Sequence, residues 1–284
     1  MPEAVQHFES RQEMRRQTFE IFHYLDRHAG PVALHHHDFY EMYFFLRGSV
    51  DYLVEGQTHR LQPGDLLLIS PLELHQPVVH PDSEAYERIV LWIDPVFLHD
   101  QSTARESLMR CFDISRPEHR NLLRLPTRAR RQLHRVLRQL LEESRSPAYG
   151  QELLCQGLLL QLLVHLNRAV PQGPGLPRPA QGQSLTDRVV EYIGQNYALP
   201  LNLDSLAEHF FVSKYHLCHE FGRAMGVSVY RYLTLKRLVI AKQMLSGGVA
   251  PTNVYEACGF GDYANFYRAF KAEYGAGPSQ FVGR

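Results

Sequence analysis

Hydrophobic positions along the chain follow a strand-like pattern first and a helical pattern after residue 127. Between residues 31 and 93, short apolar or aromatic runs alternate with turn residues, which is typical of strands joined by tight turns. Glu55-Gly56-Gln57 predicts a hairpin between two of these runs. Short strands at this spacing predict an antiparallel barrel or sandwich at about residues 20–93. The predicted strands cover residues 39–46, 50–54, 58–61 and 66–69.

The period becomes helical after residue 127. Apolar residues recur at i, i+3, i+4, i+7 and i+8 from Leu133 onward, and residues 153–166 repeat the pattern more densely. Pro147 separates the two segments, because proline breaks a helix interior. The pattern predicts an antiparallel pair of helices at about 127–169, which completes an N-terminal domain of residues 1–169.

A change in composition marks the next boundary. Residues 170–183 contain four prolines and three glycines, which cannot continue a helix and predict a linker. From residue 184 to 284 the pattern is helical throughout. Asn202 and Ser213 are predicted helix N-caps, Pro251 suits a first helical turn, and residues 229–245 predict one long helix.

Two segments in this last part, forty-nine residues apart, share one spacing of polar, apolar and glycine positions. Each begins with a residue that favours a helix N-cap and ends at a glycine that can terminate the helix. The duplication predicts two helix-turn-helix units, suited to two successive major grooves of double-stranded DNA. The two segments are Ser213-x3-Leu217-x3-Phe221-x4-Gly226 and Asp262-x3-Phe266-x3-Phe270-x4-Gly275.

Helical spacing separates buried from exposed positions in both units. Apolar residues such as Leu217 and Phe266 are predicted to be core, and Ala207 allows a close helix crossing in the first unit. Arg268 is the strongest candidate for a guanine contact, since a guanidinium can bond both acceptors of the guanine edge. The predicted DNA-binding residues are Lys214, Tyr215, Cys218, His219, Tyr263, Ala264, Tyr267, Arg268 and Lys271.

The last hundred residues resemble the AraC family of transcription regulators. The resemblance implies seven helices, with a long central helix that holds two DNA-reading helices about one DNA turn apart. It also favours residues 153–166 as a homodimer contact and implies RNA polymerase as a partner. The matching residues are Leu206-Ala207-Glu208, Ser213-x3-Leu217-x3-Phe221, Gly226-x-Ser228, Tyr232-Leu233-x3-Arg237-Leu238-x2-Ala241, Gly259-Phe260-x-Asp262-x3-Phe266-x2-Ala269-Phe270-Lys271 and Gly275-x2-Pro278-Ser279.

Two residues depart from the family pattern. Gly222 stands where the family usually has Lys or Arg, which removes a phosphate contact and loosens the first reading helix. Tyr255 stands where the family usually has a small alanine at the helix crossing. We therefore expect the second unit to pack differently, with Ala257 taking part of the small-residue role.

The predicted barrel carries a histidine-rich motif that looks like the two-part signature of the cupin fold. The motif is His35-x-His37-x3-Glu41-x6-Gly48, followed by Pro63-Gly64-Asp65 and then by His75. Period-2 geometry places His35, His37, Glu41 and Tyr43 on one strand face if strand pairing is unbroken. His36 and the aromatic residues Tyr40, Phe44 and Phe45 are interpreted as packing residues.

Three interpretations of the barrel remain open. His35, His37, Glu41 and His75 could hold a divalent metal ion, since imidazole and carboxylate suit such ions. The same residues, with Tyr43, could instead bind a small polar effector such as a sugar, which is the interpretation we favour. They could also form a hydrogen-bonded structural cluster without any ligand. A regulator whose barrel binds a polar effector, the favoured interpretation, requires no cofactor.

Composition limits the function further. The net charge is zero, and residues 184–284 carry ten Lys and Arg against eight Asp and Glu, so DNA binding must depend on a few placed cations. The first sixteen residues are polar, no apolar run could span a membrane, and the four cysteines form no C-x-x-C pair. We expect a cytoplasmic protein without disulfides.

The sequence predicts an α+β protein with two domains: a cupin-like antiparallel β-barrel with a helical pair, and an all-α double helix-turn-helix domain. The predicted function is a sequence-specific, ligand-responsive activator of carbohydrate-metabolism genes, without enzymatic activity. The alternatives are a metal-dependent cupin enzyme fused to a DNA-binding domain and a regulator with an empty barrel.

Overall fold

A computed structural model describes residues 13–27, 30–116, 118–170 and 184–283. The chain divides into two compact units, and the C-terminal unit contains all of the residues after 179. The predicted linker 170–183 lies outside the described residues except for Val170.

The N-terminal unit contains two antiparallel sheets. A five-stranded sheet has the order β1-β7-β2-β5-β8, and a three-stranded sheet has the order β4-β3-β6. An isolated bridge between His35 and His75 adds a further backbone pairing. The strands are β1 (Phe19–Asp26), β2 (Tyr40–Arg47), β3 (Val50–Val54), β4 (Gln57–Arg60), β5 (Leu66–Ile69), β6 (His75–Val79), β7 (Tyr86–Ile93) and β8 (Leu122–Leu123).

Alternation along β2 separates two hydrophobic cores. Tyr43 and Phe45 pack with residues of the three-stranded sheet such as Tyr52, so this core lies between the sheets. Met42 and Phe44 point to the opposite face and pack against helical residues. Both faces of β2 are therefore buried, which explains why its sequence is almost continuously apolar.

The described residues of this unit also contain a short 3-10 helix, Leu108–Phe112, and three α-helices: α1 (Pro95–Asp100), α2 (Thr127–Glu143) and α3 (Gln151–Ala169). Helix α2 buries the predicted stripe that begins at Leu133, and α3 buries residues that include Leu159 and Leu163. Gln132, near the start of α2, is hydrogen-bonded to His165, near the end of α3, so the two helices are antiparallel. The predicted helical pair is confirmed.

Several strand predictions agree with the structure and others do not. The hairpin at Glu55 and Gly56 is confirmed, since both residues have the positive φ that a type I′ turn requires, 44° and 78°. Strand β1 was not among the predicted strands. Its residues are buried on both faces, so the sequence carries no alternation there.

The C-terminal unit is helical throughout its described residues, 184–283. It contains six α-helices and one short 3-10 helix, Pro278–Phe281, which together match the seven helices implied by the family resemblance. The α-helices are α4 (Leu185–Asn196), α5 (Leu203–His209), α6 (Lys214–Met225), α7 (Val229–Ser246), α8 (Pro251–Ala257) and α9 (Tyr263–Tyr274).

The duplication predicted from sequence is present in the helices. Helices α5 and α8 each have 7 residues, and α6 and α9 each have 12. Ser213 caps α6 through the His216 amide, and Asp262 caps α9 through the Asn265 amide. The glycines that follow, Gly226 and Gly275, adopt positive φ of 66° and 73° and end the helices as predicted.

One packing prediction in the second unit is wrong. Ala257 is exposed and takes no part in the helix crossing. Val254 and Cys258 are fully buried instead and join Phe266 and Phe270 in the core. On a helix with 3.6 residues per turn, Val254 and Cys258 lie about 40° apart and define the buried face of α8. Position 257 lies about 100° from Cys258, so its side chain points away from that face. Tyr255 is half-buried and packs edge-to-face against Tyr263.

Among the described residues, none of the helices combines the length and the apolar character needed to cross a lipid bilayer.

Candidate DNA-binding helices and a buried polar chamber

Helix α6 presents a polar face at its N-terminal half. Leu217 and Phe221 are fully buried, which orients the helix on the core of its unit. The four predicted DNA-binding residues of this helix are all exposed: Lys214, Tyr215, Cys218 and His219. Tyr215 is 81% exposed, so its ring is available to a partner and does not contribute to the core.

Helix α9 repeats this arrangement. Phe266 and Phe270 are buried, and the five predicted residues Tyr263, Ala264, Tyr267, Arg268 and Lys271 are exposed. The Arg268 guanidinium donates hydrogen bonds to the Asn265 side-chain oxygen and, over 3.3 Å, to the Ala264 carbonyl oxygen. Asn265 in turn donates to Asp262, the cap of the helix. These contacts hold the guanidinium along the helix surface, near its N-terminal end.

The helix that connects the two helix pairs has a length close to one turn of DNA. Helix α7 joins the two helix pairs and has 18 residues. A helix of this length spans about 27 Å, which is comparable to the roughly 34 Å of one DNA turn. Helix α6 and helix α9 thus have the length, capping and exposed polar side chains of DNA-reading helices.

Several cations near these faces are paired with acidic side chains. Lys214 lies 2.5 Å from Asp204, Arg223 lies 2.6 Å from Glu220, and Arg231 lies 2.7 Å from Glu273. Exposed pairs of this kind contribute little to stability, so a phosphate could displace the carboxylate at low cost. The modest positive charge of the C-terminal unit therefore does not exclude a phosphate-binding surface.

Two exposed aromatic residues of this unit were not predicted from the sequence. Phe211, in the turn between α5 and α6, is 94% exposed, and Tyr230, in the first turn of α7, is 78% exposed. Phe211 also has a positive φ of 56°, which an L-residue rarely adopts. Helical periodicity gave no signal for Phe211 because it lies outside both helices.

The N-terminal unit encloses a cavity of about 50 Å³ between its sheets, which we call the buried chamber. Four of the five predicted ligand-binding residues line it: His35, His37, Glu41 and Tyr43. The chamber is also lined by Tyr52, Tyr86, Arg88 and Trp92, which were not predicted from the sequence. Alternate positions 86, 88, 90 and 92 on strand β7 carried the signal that could have found them.

The fifth predicted residue, His75, lies against the histidines of the chamber. Its ring centroid is 4.2 Å from that of His35 and 4.7 Å from that of His37. The condition for a shared strand face, unbroken pairing from His35 to Tyr43, is not met, because β2 begins only at Tyr40. The backbone bridge between His35 and His75 and a bend before β2 place the histidine side chains at the chamber.

Hydrogen bonds orient all three imidazoles in the same way. Each Nδ1 lies within 2.9 Å of a backbone carbonyl oxygen, that of Ala33 for His35, Phe39 for His37 and Glu73 for His75. A carbonyl can only accept, so Nδ1 carries the proton, and the Nε2 of a neutral ring is left as an acceptor.

The Glu41 carboxylate is held by two donors of the chamber. The Trp92 indole nitrogen donates to Oε2 at 2.9 Å, and the Tyr52 hydroxyl donates to Oε1 at 3.3 Å. The Oε2 atom also lies 3.5 Å from Nε2 of His37. Burial alone would raise the pKa of Glu41, but His37, His35 and Trp92 together lower that pKa below its usual value.

Burial affects the histidines in the opposite direction. It lowers the pKa of His35, and it lowers the pKa of His75 well below the usual value, with His35 and His37 adding to the effect. Near neutral pH these two imidazoles are therefore uncharged, while Glu41 is a carboxylate. The chamber combines one negative charge with unprotonated ring nitrogens.

Three of the four predicted metal-ligand residues form a tight group. The ligand atoms of His37, Glu41 and His75 all lie within 4.8 Å of one another, and all three residues are buried. His35 is not part of this group, although its ring packs edge-on against that of His75. Within the described part of the chain, this is the group of His, Cys, Asp and Glu residues that could hold an ion.

Tyrosine hydroxyls and an arginine occupy the rest of the chamber wall. Tyr43 donates a hydrogen bond to the Tyr86 hydroxyl, and burial raises the pKa of Tyr86 to about 12, so both phenols are neutral. Arg88 pairs with Asp26 and lies 4.0 Å from the centre of the Tyr86 ring. The wall therefore offers hydroxyl groups and aromatic faces as well as the histidine cluster.

Comparison with known families assigns both units. Residues 20–163 match the AraC-like ligand binding domain, and residues 206–284 match a helix-turn-helix domain. The first match covers the two sheets and most of the helical pair, and the second begins within α5 and continues to residue 284. Neither family is a family of enzymes.

Three relatives align along most of the chain. The uncharacterized HTH-type transcriptional regulator YpdC of Escherichia coli is 27% identical over 87% of this chain and 83% of its own length. The arabinose operon regulatory protein of Escherichia coli is 25% identical over 91% and 83%. The HTH-type transcriptional activator RhaS of Salmonella arizonae is 24% identical over 86% and 85%. With a ligand-binding domain match over half of its length and a helix-turn-helix domain after it, the chain belongs to the AraC family of transcription regulators.

Proposed function

We propose that this regulator activates genes of carbohydrate metabolism in response to a small polar effector. The observation that supports the proposal is the presence, in one chain, of two capped helices with exposed polar faces within a helix-turn-helix domain and of a separate unit with a buried polar chamber. One relative is named for the arabinose operon, which supports a sugar as the effector. Another is named a transcriptional activator, which supports activation of the target genes.

Double-stranded DNA would bind to the exposed faces of α6 and α9, one in each of two successive major grooves. Arg268 would contact a guanine edge, and Lys214 and Lys271 would contact phosphates. The helix N-termini at Ser213 and Asp262 would add backbone amides that face the DNA. The remaining predicted residues, Tyr215, Cys218, His219, Tyr263, Ala264 and Tyr267, would complete the contact surface.

The effector would bind in the buried chamber, where His35, His37, Glu41, Tyr43 and His75 supply hydrogen-bonding groups. Trp92 and Tyr52 supply aromatic faces on which a sugar ring could stack. The chamber of about 50 Å³ is far smaller than the roughly 300–1,000 Å³ of typical organic-ligand sites. Sugar binding therefore requires the side chains of the wall to move apart.

The proposal includes two protein partners. A second copy of the chain would pack on α3, where Leu153 and Leu154 are 74% and 53% exposed and have no place in the core of their own unit. RNA polymerase is the partner expected of an activator.

Coupling between effector and DNA tests the proposal. A DNA duplex is first selected from a random library with the full-length protein. Pentoses and hexoses, with arabinose among them, are then titrated by calorimetry in the presence and absence of that duplex. A regulatory effector must bind with different affinity in the two cases, since the coupling is reciprocal. The same affinity with and without the duplex would reject the effector role.

Two variants make the experiment specific to the chamber. Glu41→Gln should weaken sugar binding without changing the affinity for DNA in the absence of sugar. Glu84→Gln alters an exposed carboxylate outside the chamber and should bind sugar as the parent chain does. Failure to select any DNA sequence from the library would reject the regulator itself.

A further inference from the structure

We infer that a second pocket of the N-terminal unit, outside the buried chamber, binds a small organic anion that carries a carboxylate or phosphate group on an apolar body. We call it the arginine pocket. Its wall is formed by residues 105–116, which include the 3-10 helix, by Tyr40 of β2, and by the C-terminal end of α3. This binding does not depend on the proposed function.

The arginine pocket is separate from the buried chamber. Among the described residues, those that line one cavity do not line the other. Tyr40 and Glu41 are neighbours on β2, but adjacent strand residues point to opposite faces of the sheet. The two cavities therefore lie on opposite sides of this strand, and a ligand in one does not occupy the other.

The size of the arginine pocket suits an organic ligand. Its volume is about 780 Å³, which falls within the roughly 300–1,000 Å³ of typical small-molecule sites. The buried chamber, with about 50 Å³, would have to open before it could hold a molecule of that size. The arginine pocket can accept such a ligand without this rearrangement.

Positive charge predominates in the wall, which contains four arginines and two carboxylates. The Asp113 carboxylate already accepts hydrogen bonds from the Ser115 hydroxyl and amide, at 2.6 and 3.0 Å. A guanidinium matches a carboxylate or a phosphate with two parallel hydrogen bonds, so the surplus of arginines favours an anion. The four arginines are Arg105, Arg110, Arg116 and Arg168.

Three of these guanidinium groups are available to a ligand. Arg116 is held by Glu118, whose carboxylate accepts a hydrogen bond at 2.8 Å. The side chains of Arg105, Arg110 and Arg168 make no hydrogen bond or ion pair with any residue that the structure describes. An anion would therefore not have to displace a protein carboxylate from them.

The opposite side of the pocket is apolar. The rings of Tyr40 and Phe112 lie 4.8 Å apart, and Val164 of α3 also lines the pocket. Burial raises the pKa of Tyr40, and Asp113 and Cys111 add to the effect, so its hydroxyl is neutral and can donate to a ligand. A ligand with an apolar ring or chain beside its acidic group would use both sides of the pocket.

Hydrogen bonds hold the arginine-bearing segment in place. The Asn167 side-chain nitrogen donates to the carbonyl oxygens of Leu108 and Leu163, at 3.0 and 2.9 Å, which joins the 3-10 helix to α3. The Ser102 hydroxyl accepts from the Leu108 amide and donates to the Leu98 carbonyl oxygen. Because the wall is already ordered, ligand binding would lose less free energy to the ordering of this segment.

Calorimetric titration of the full-length protein with three related probes tests the inference. Naphthoate and naphthyl phosphate carry the two acidic groups on the same ring system, and naphthamide is the neutral analogue of naphthoate. At least one of the two acids should bind with one equivalent and about tenfold or more tightly than the amide, because its hydrogen bonds to arginine are charge-assisted. The tighter acid identifies the preferred group. Equal binding of all three probes, or no saturable binding of either acid, would overturn the inference.

Arginine variants locate the site. Arg110→Gln and Arg168→Gln should each weaken binding of the tighter acid by about fivefold or more. Arg135→Gln is the matched control, because it removes the same charge from an exposed position of α2 outside the pocket. It should bind the acid as the parent chain does. A loss in Arg135→Gln equal to that of the other variants would assign the effect to the overall charge of the protein and reject the pocket.

Amide hydrogen exchange of the parent protein makes the test independent of the variants. The tighter acid should slow exchange in residues 105–116 and 164–168. Slower exchange confined to residues 86–92, which line the buried chamber, would place the acid there and overturn the inference. Sugar titration and DNA selection with the same preparations separate the proposals: loss of acid binding alone leaves the proposed regulator intact, and acid binding without DNA selection rejects the regulator alone.

Discussion

Under the proposed function, Arg268 and Lys271 of α9 have different roles in DNA binding. Arg268 and Lys271 are both exposed on this helix. Arg268 lies in its N-terminal half, and Lys271 lies about one turn later. A guanidinium can read a base edge with two hydrogen bonds, whereas a lysine ammonium acts on phosphate as a point charge. The two residues should therefore contribute differently to specificity.

Replacing each residue by alanine distinguishes these roles. Arg268→Ala should relax the preference at one base pair by roughly 1–3 kcal/mol, because the bidentate contact is lost. Lys271→Ala should weaken binding to all sequences alike and reduce its salt dependence. Binding to duplexes substituted at each position, measured at several salt concentrations, checks both. An equal loss at every base pair for Arg268→Ala would contradict the base-reading role.

A second residue-scale prediction concerns backbone strain at Phe211. Its φ is 56°, and its ring is 94% exposed, so the side chain gains little packing in return for the unfavourable backbone. Phe211→Gly should raise the free energy of unfolding of the C-terminal unit by about 0.5–1 kcal/mol, after allowing for the greater freedom of unfolded glycine.

Tryptophan fluorescence would not report this change, because the only tryptophan, Trp92, belongs to the other unit. The change is therefore measured by urea unfolding followed by far-ultraviolet circular dichroism. Phe211→Ala is the matched control. It removes the ring but keeps the β-carbon that makes positive φ unfavourable, so it should not stabilise the unit. Equal effects of glycine and alanine would show that the ring, and not the backbone, is responsible.

At the scale of whole elements, the ends of the helices are the part of the fold that local sequence determines. The capping residues Ser213 and Asp262, and the glycines that end α6 and α9, were all predicted correctly. Their effect is exerted within one helical turn, so nearby sequence contains the necessary information. Strand β1 was missed because its burial comes from neighbours far along the chain.

Helix α6 contains one element-scale weakness that can be tested. Gly222 lies in its interior, and a β-carbon there would meet no atom within 4 Å. Gly222→Ala should therefore stabilise α6 by roughly 0.5–1 kcal/mol, since alanine has the higher helix propensity. Amide hydrogen exchange of α6 should slow in the variant.

The neighbouring glycine provides the control for this prediction. Gly226 has a φ of 66°, so Gly226→Ala should destabilise the end of the same helix even though the substitution is chemically identical. Faster exchange in Gly222→Ala would mean that α6 needs the glycine for a reason other than helix propensity.

At the scale of the whole molecule, the proposed homodimer depends on α3. Leu153 and Leu154 are exposed near its N-terminal end, whereas Leu159, Leu162 and Leu163 are buried in the core. The double change Leu153→Glu and Leu154→Glu should shift the protein from dimer to monomer, because the carboxylates would have to be buried in the interface.

Sedimentation equilibrium at several protein concentrations measures this shift. Gln139→Glu adds a negative charge at an exposed position of α2, outside the proposed interface, and should leave the association constant within about threefold of the parent value. A double variant that dimerises as the parent does would place the dimer interface elsewhere or exclude the dimer.

The sequence by itself determined the helix-turn-helix duplication, its caps and its exposed polar faces, because helical periodicity and capping act over three to five residues. It also indicated which residues would face the interior of the sheets. Only the tertiary structure decided that His75 joins His37 and Glu41, that His35 remains beside the group, and that Trp92 and Arg88 complete the chamber. Those contacts depend on strand register and chain bends between distant segments, and short-range spacing does not specify which distant residues meet.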